Sequence, residues 1–120
     1  MARILICDDS NLSRGNLKKI LTTKGHEIVG EAVNGEEACK KYSELKPELV
    51  TMDITMPKMD GIAALKKIIQ ENPRAKVIMI SALGQAPKIL EAINSGAKSY
   101  VTKPFDANKV LSAVDEVLKA

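Results

Sequence analysis

The sequence predicts an α/β fold, a doubly wound parallel sheet of five strands with helices on both faces. Five short apolar runs alternate with five segments of helical spacing, in the order βαβαβαβαβα. The runs carry apolar residues on both faces, as strands covered on both sides do, and the helices between them supply the cover. The chain is 120 residues long, a common size for one compact domain. On folding, such a chain buries on the order of two-thirds of its unfolded surface.

The first run is Arg3–Cys7. Ser10 can cap the helix after it, where Leu17, Ile20 and Leu21 fall at i, i+3 and i+4, and Gly25 supplies a left-handed stop. The second run is Ile28–Val33, followed by Asn34 as cap, the stripe Ala38, Tyr42 and Leu45, and Pro47 as terminator. Leu49–Met52 is the third, with Ile62, Leu65, Ile68 and Ile69 repeating after it and Pro73 closing the helix. The fourth is Lys76–Ile80, then Ile89 and Ile93 on one helix ended by Gly96. Ser99–Thr102 is the fifth, and Asp106 caps a helix striped with Val110, Leu111, Val114, Val117 and Leu118.

Composition narrows the function. Only Tyr42, Tyr100 and Phe105 are aromatic, so the predicted core is aliphatic. The formal charge is +3 with signs mixed along the chain, which argues against a nucleic-acid surface. Cys7 and Cys39 lack metal-ligand spacing and read as small buried hydrophobes in a reducing compartment. No apolar stretch approaches the roughly 20 residues of a membrane span, and Ile4–Ile6 after Met1, Ala2 and Arg3 is too short for a signal peptide. A cytoplasmic protein is expected. No linker, repeat or low-complexity stretch interrupts residues 1–120, so one domain is expected, with no effector domain beyond the last helix.

In such sheets ligands bind beyond the carboxyl ends of the strands. Asp8 and Asp9 follow the first run, Asp53 the third, Ser81 the fourth and Lys103 the fifth. Each has a plainer reading. The paired acids could favour the positive end of the first helix, and Lys103 could be a structural partner of Asp53. Together, however, three acids would repel one another for no gain, and a divalent cation resolves that crowding. Oxygen donors without His or available Cys select a hard cation, and few carboxylates on a rigid sheet edge suit Mg2+ better than Ca2+. A cation, a lysine and a hydroxyl around one carboxylate are the equipment of phosphoryl transfer.

At these residues the chain resembles the receiver domain of response regulators, most closely the stand-alone chemotaxis regulators of the CheY type. The motifs are Asp8–Asp9, Met52–Pro57 leading to Asp60–Gly61, Ser81–Ala82 and Lys103–Phe105, and the resemblance spans the whole chain. It implies a flavodoxin-like strand order 2-1-3-4-5 and a cis peptide between Lys103 and Pro104. It further implies that Asp53 is the phosphoacceptor, and that Asp9, Asp53 and the backbone carbonyl of Thr55 hold Mg2+, with Asp8 acting mostly through water. Lys103 would pair with Asp53 and then with the phosphoryl oxygens. Ser81 would move to the phosphoryl group, and Tyr100 would turn inward behind it. The partner surface would comprise Ile89, Tyr100, Thr102, Phe105 and Lys109, with the Tyr100 ring withdrawn from it once the switch is thrown. The implied partners are a histidine kinase as phosphodonor, a target protein such as the flagellar motor switch, and a phosphatase. A monomer is expected, with no nucleic acid and no membrane.

Gly15 lies inside the first helix at a cost of about 1 kcal/mol relative to Ala, and a tight packing contact is the expected reason, with a partner approaching this helix as the weaker alternative. Gly84 and Pro87 flank the start of the fourth helix, and Leu83 is apolar where relatives often carry a polar group. Two other functions compete. A phosphorelay carrier would use the same residues. An aspartate-nucleophile phosphatase would place a second aspartate two positions after Asp53 as proton carrier, where Thr55 stands. A nucleotide-binding module is disfavoured because no G-x-G-x-x-G and no G-K-[ST] loop follows any strand.

Overall fold

Each apolar run pairs in parallel with a neighbour, because the helical segments between them carry the chain back across the sheet each time. The structure is a computed structural model and describes residues 2–120; Met1 lies outside them. The strands are β1 (Arg3–Cys7), β2 (Glu27–Ala32), β3 (Leu49–Asp53), β4 (Val77–Ser81) and β5 (Ser99–Thr102). The helices are α1 (Asn11–Thr23), α2 (Gly35–Leu45), α3 (Gly61–Glu71), α4 (Ala86–Asn94) and α5 (Ala107–Lys119). The sheet order is β2-β1-β3-β4-β5, as the resemblance implies. Ile4 faces Leu49 across β1–β3, Val50 faces Val77 across β3–β4, and Ile78 faces Ser99 across β4–β5.

Strand alternation splits the core in two. Leu5, Cys7, Val50, Met52, Val77 and Met79 point toward α2, α3 and α4, where they meet Ala38, Leu65 and Ile68. Ile4, Ile6, Leu49, Ile78 and Ile80 point the other way and pack under Leu17, Leu21, Val110, Val114 and Val117 of α1 and α5. Tyr42 is the one fully buried aromatic, and its hydroxyl accepts a hydrogen bond from Asn72 at 3.1 Å.

The predicted caps form. Ser10 accepts from the Ser13 N–H at 3.2 Å, Asn34 from that of Glu37 at 2.8 Å and Asp106 from that of Lys109 at 2.9 Å. Asp60 caps α3 in the same way. Gly25 and Gly96 are left-handed, and Pro87 sits in the first turn of α4.

Three expectations change. A Cβ on Gly15 would meet nothing within 4 Å, so no packing contact explains this glycine. Cys39 is only half-buried, its thiol directed at the Ala64 carbonyl. On α4 only Ala92 is fully buried; Ile89 packs against the core, while Ile93 sits at the margin and faces solvent. Among the described residues, no helix is long and apolar enough to cross a membrane.

Candidate functional site

Strand order reverses between β1 and β3, and in open α/β sheets the carboxyl edge at such a reversal is where ligands bind. Asp8 and Asp9 leave β1, Asp53 and Ser81 are the last residues of β3 and β4, and Lys103 follows β5 directly. The sheet ladder continues into these ends. The Asp8 N–H donates to Ala32 at 2.9 Å, that of Ile54 to Ile80 at 3.0 Å and that of Lys103 to Ser81 at 2.6 Å. The Lys103–Pro104 peptide is cis.

Local bonds then aim the side chains. The Asp8 carboxylate accepts from the Ser10 N–H at 2.8 Å, and Arg14 donates to the Asp8 carbonyl at 2.7 Å while pairing with Glu31 at 3.1 Å. The Thr55 N–H donates to Asp53 Oδ1 at 3.3 Å. Gly61 lets α3 start directly against the end of β3. Its N–H donates to the Ile54 carbonyl at 2.7 Å, and a Cβ there would stand 1.9 Å from the Asp53 carbonyl oxygen. Any other residue at position 61 must push the Asp53 loop out of place.

Lys103 is the sole cation among the five site residues. Its Nζ lies 3.0 Å from Asp53 Oδ2 and 3.2 Å from Asp8 Oδ2. Carboxylate oxygens of Asp8, Asp9 and Asp53 lie within 4.8 Å of one another, with Asp8 and Asp53 buried and Asp9 exposed. Burial pushes the Asp53 carboxyl up; the Lys103 hydrogen bond opposes this, and the Asp8 charge adds to it. Burial works against the Lys103 ammonium, but hydrogen bonds and charge from Asp53 and Asp8 outweigh it and hold its proton more tightly than usual. The Ser81 hydroxyl is sealed from solvent and has no hydrogen-bond partner. Three carboxylates facing one ammonium leave negative charge uncompensated, so the all-oxygen donor set fits a small divalent cation.

The structure thus gathers Asp8, Asp9, Asp53, Ser81 and Lys103. Tyr100 stands apart with its ring outward, 49% exposed. The surface expected around it is built differently. Ile89 and Phe105 are half-buried against the two cores, because each lies on the inward side of its segment. Leu90, 62% exposed, and Ile93 supply the apolar area instead, beside half-buried Thr102 and exposed Lys109. One participant went unread in the sequence. Gln85 accepts from the Ala82 N–H at 2.7 Å and donates to the Thr55 hydroxyl at 2.9 Å, spanning the loops after β4 and β3. Its only sequence signal is a polar residue between Gly84 and Pro87.

Comparison with known proteins agrees with this geometry. The family model described as "Response regulator receiver domain" matches residues 4–115. The chain is 51% identical to the chemotaxis protein CheY of Thermotoga maritima over 117 residues, covering 98% of each chain. It is 52% identical to that of Bacillus subtilis over 116 residues, covering 97% of each. Among solved structures, the CheX–CheY–BeF3–Mg2+ complex from Borrelia burgdorferi superposes with a TM-score of 0.93 at 43% identity, over 97% of this chain and 88% of that one. With the family match covering nearly the whole sheet and the five site residues at its carboxyl edge, the chain belongs to the response regulator receiver domain family.

Proposed function

We propose that the chain is a single-domain chemotaxis switch that accepts a phosphoryl group on Asp53 from a histidine kinase and then binds a target protein. The observation that carries this is the buried carboxylate of Asp53 held between Lys103, at 3.0 Å, and the paired acids after β1. Asp9, Asp53 and the Thr55 carbonyl would hold Mg2+, with Asp8 nearby; when bound, the ion supplies positive charge to the transferring oxygens. A carboxylate oxygen of Asp53 attacks phosphorus, the bond to the donor histidine nitrogen breaks, and its electron pair stays on the imidazole. Lys103, already bridging Asp53 and Asp8, follows the charge onto the phosphoryl oxygens. Ser81, whose buried hydroxyl lacks a partner, gains an acceptor in the new group.

The output face is that of α4, β5 and α5, where Tyr100 turns inward and Leu90, Ile93, Thr102 and Lys109 remain to meet a partner. An apolar patch with a basic rim suits an amphipathic segment, here the flagellar motor switch. The Borrelia complex supports two parts of this reading, since its name joins a second protein, Mg2+ and beryllium trifluoride, a phosphoryl mimic. A phosphatase partner and action as a cytoplasmic monomer complete the proposal. Turnover of outside phosphate esters is not expected, because Thr55 cannot serve as a proton carrier.

Intact-mass measurement after incubation with acetyl phosphate and Mg2+ tests the assignment. The wild type should gain one phosphoryl group, and chelation should stop this without unfolding the chain. Asp53→Asn should gain none. Labelling of that variant at the wild-type rate would overturn the reading.

A further inference from the structure

The carboxamide of Gln85 closes a bridge that no other side chain makes among the described residues. Its oxygen takes the N–H of Ala82, the residue after Ser81, and its nitrogen donates to the hydroxyl of Thr55, whose own N–H donates to Asp53. Each end is therefore one peptide or one hydrogen bond from a residue of the phosphoacceptor site. Gln85 is also the N-cap residue of α4, yet its side chain makes no cap bond to that helix. The start of α4 is tied to the site instead.

Little else restrains that start. Gly84 is left-handed with open space around it, Leu83 is exposed, and Ala92 is the only fully buried residue of α4. Ser81 and Ala82 share a peptide, so a shift of Ser81 toward Asp53 moves the Ala82 N–H away from a Gln85 carboxamide that Thr55 holds in place. We propose that Gln85 is a positioning residue, a clasp that holds the start of α4 in the unphosphorylated arrangement and must open for the output face to change. This rests on Asp53 as phosphoacceptor. It adds a second link from the site to α4 beside the Ser81–Tyr100 exchange, one that movement of Ser81 itself releases.

A ligand shifts such an equilibrium only by its differential affinity, so a weaker clasp leaves phosphorylation less to overcome. Gln85→Ala should therefore raise affinity for beryllofluoride with Mg2+ by about three- to tenfold, the worth of one or two modest hydrogen bonds. In the metal-free protein, NMR signals of Ala82 and residues 86–94 should move toward their beryllofluoride-bound positions, and the Ala82 amide should exchange faster. Gln85→Glu keeps the acceptor for Ala82 and can accept from the Thr55 hydroxyl, so its metal-free signals should stay near wild type. Thr55→Val should have less effect in the Gln85→Ala background than alone. Gln85→Ala with unchanged or weaker affinity, and α4 signals at wild-type positions, would overturn the clasp while leaving the phosphoacceptor intact. A wild type that does not bind beryllofluoride, or binding that survives Asp53→Asn, would overturn both.

Discussion

Asp53 sits in an electrostatic conflict. It is buried, it faces the Asp8 carboxylate, and it shares one ammonium with that neighbour. Burial first, and Asp8 second, hold its proton more tightly in the folded chain than in the unfolded one, with Lys103 offsetting only part. The sign of the linkage follows. A folded carboxyl with a raised pKa contributes stability that is fully present below the ordinary carboxylate range and is lost as pH rises through the folded value. Asp53→Asn removes this charge while Lys103 keeps Asp8 as partner. Without metal, the variant should be more stable than wild type at neutral pH, and the gap should narrow on acidification through the carboxylate range. Urea unfolding at a series of pH values with chelator present checks this. A gap that widens on acidification would contradict it. The convergence of these acids was legible from strand ends alone. That Lys103 bridges Asp8 as well as Asp53 was not, because spacing does not fix where a flexible ammonium settles.

The two helices that sequence reasoning described least well are α1 and α4. In α1 the apolar spacing located Leu17 and Leu21 on the core, and both are fully buried. A helix-interior glycine predicts a packing contact at Gly15, but the structure leaves open space at its Cβ. With no close neighbour to clash, Gly15→Ala should stabilise the domain by about 1 kcal/mol through helix propensity and reduced unfolded-state freedom. A higher urea midpoint with unchanged slope is the expected result. A lower midpoint would mean that a contact had been missed. In α4, Ile89 and Ile93 identified a helix correctly, but spacing at four does not say which flank of a stripe meets the sheet. The small Ala92 takes the buried position and leaves Leu90 and Ile93 outward. Alanine carries too little hydrophobic signal to claim that place from sequence.

For the molecule as a whole, strand order was available only through resemblance, since periodicity places strands without ordering them. The core's division into two faces follows from alternation along β1, β3 and β4, and the sequence pattern already contained it. The connections between site and surface were the least legible part, because the Gln85 bridge spans loops whose course no periodic pattern encodes. Ser81 tests how the whole domain responds. Its hydroxyl is buried without a partner, so Ser81→Ala should fold with equal or greater stability in the unphosphorylated state. The variant keeps Asp53, Lys103 and the paired acids and should still accept a phosphoryl group from acetyl phosphate. It should respond poorly at Tyr100 and α4, since the group that draws the β4 end toward the phosphate is gone. The two arrangements can differ by only a few kcal/mol if one phosphoryl group is to move the population, so loss of one strong hydrogen bond is enough to blunt the change. NMR of phosphorylated or beryllofluoride-bound Ser81→Ala should show shifts near Asp53, with Tyr100, Leu90 and Ile93 left at their unphosphorylated positions. Full wild-type response on that face would mean that Ser81 does not transmit the signal.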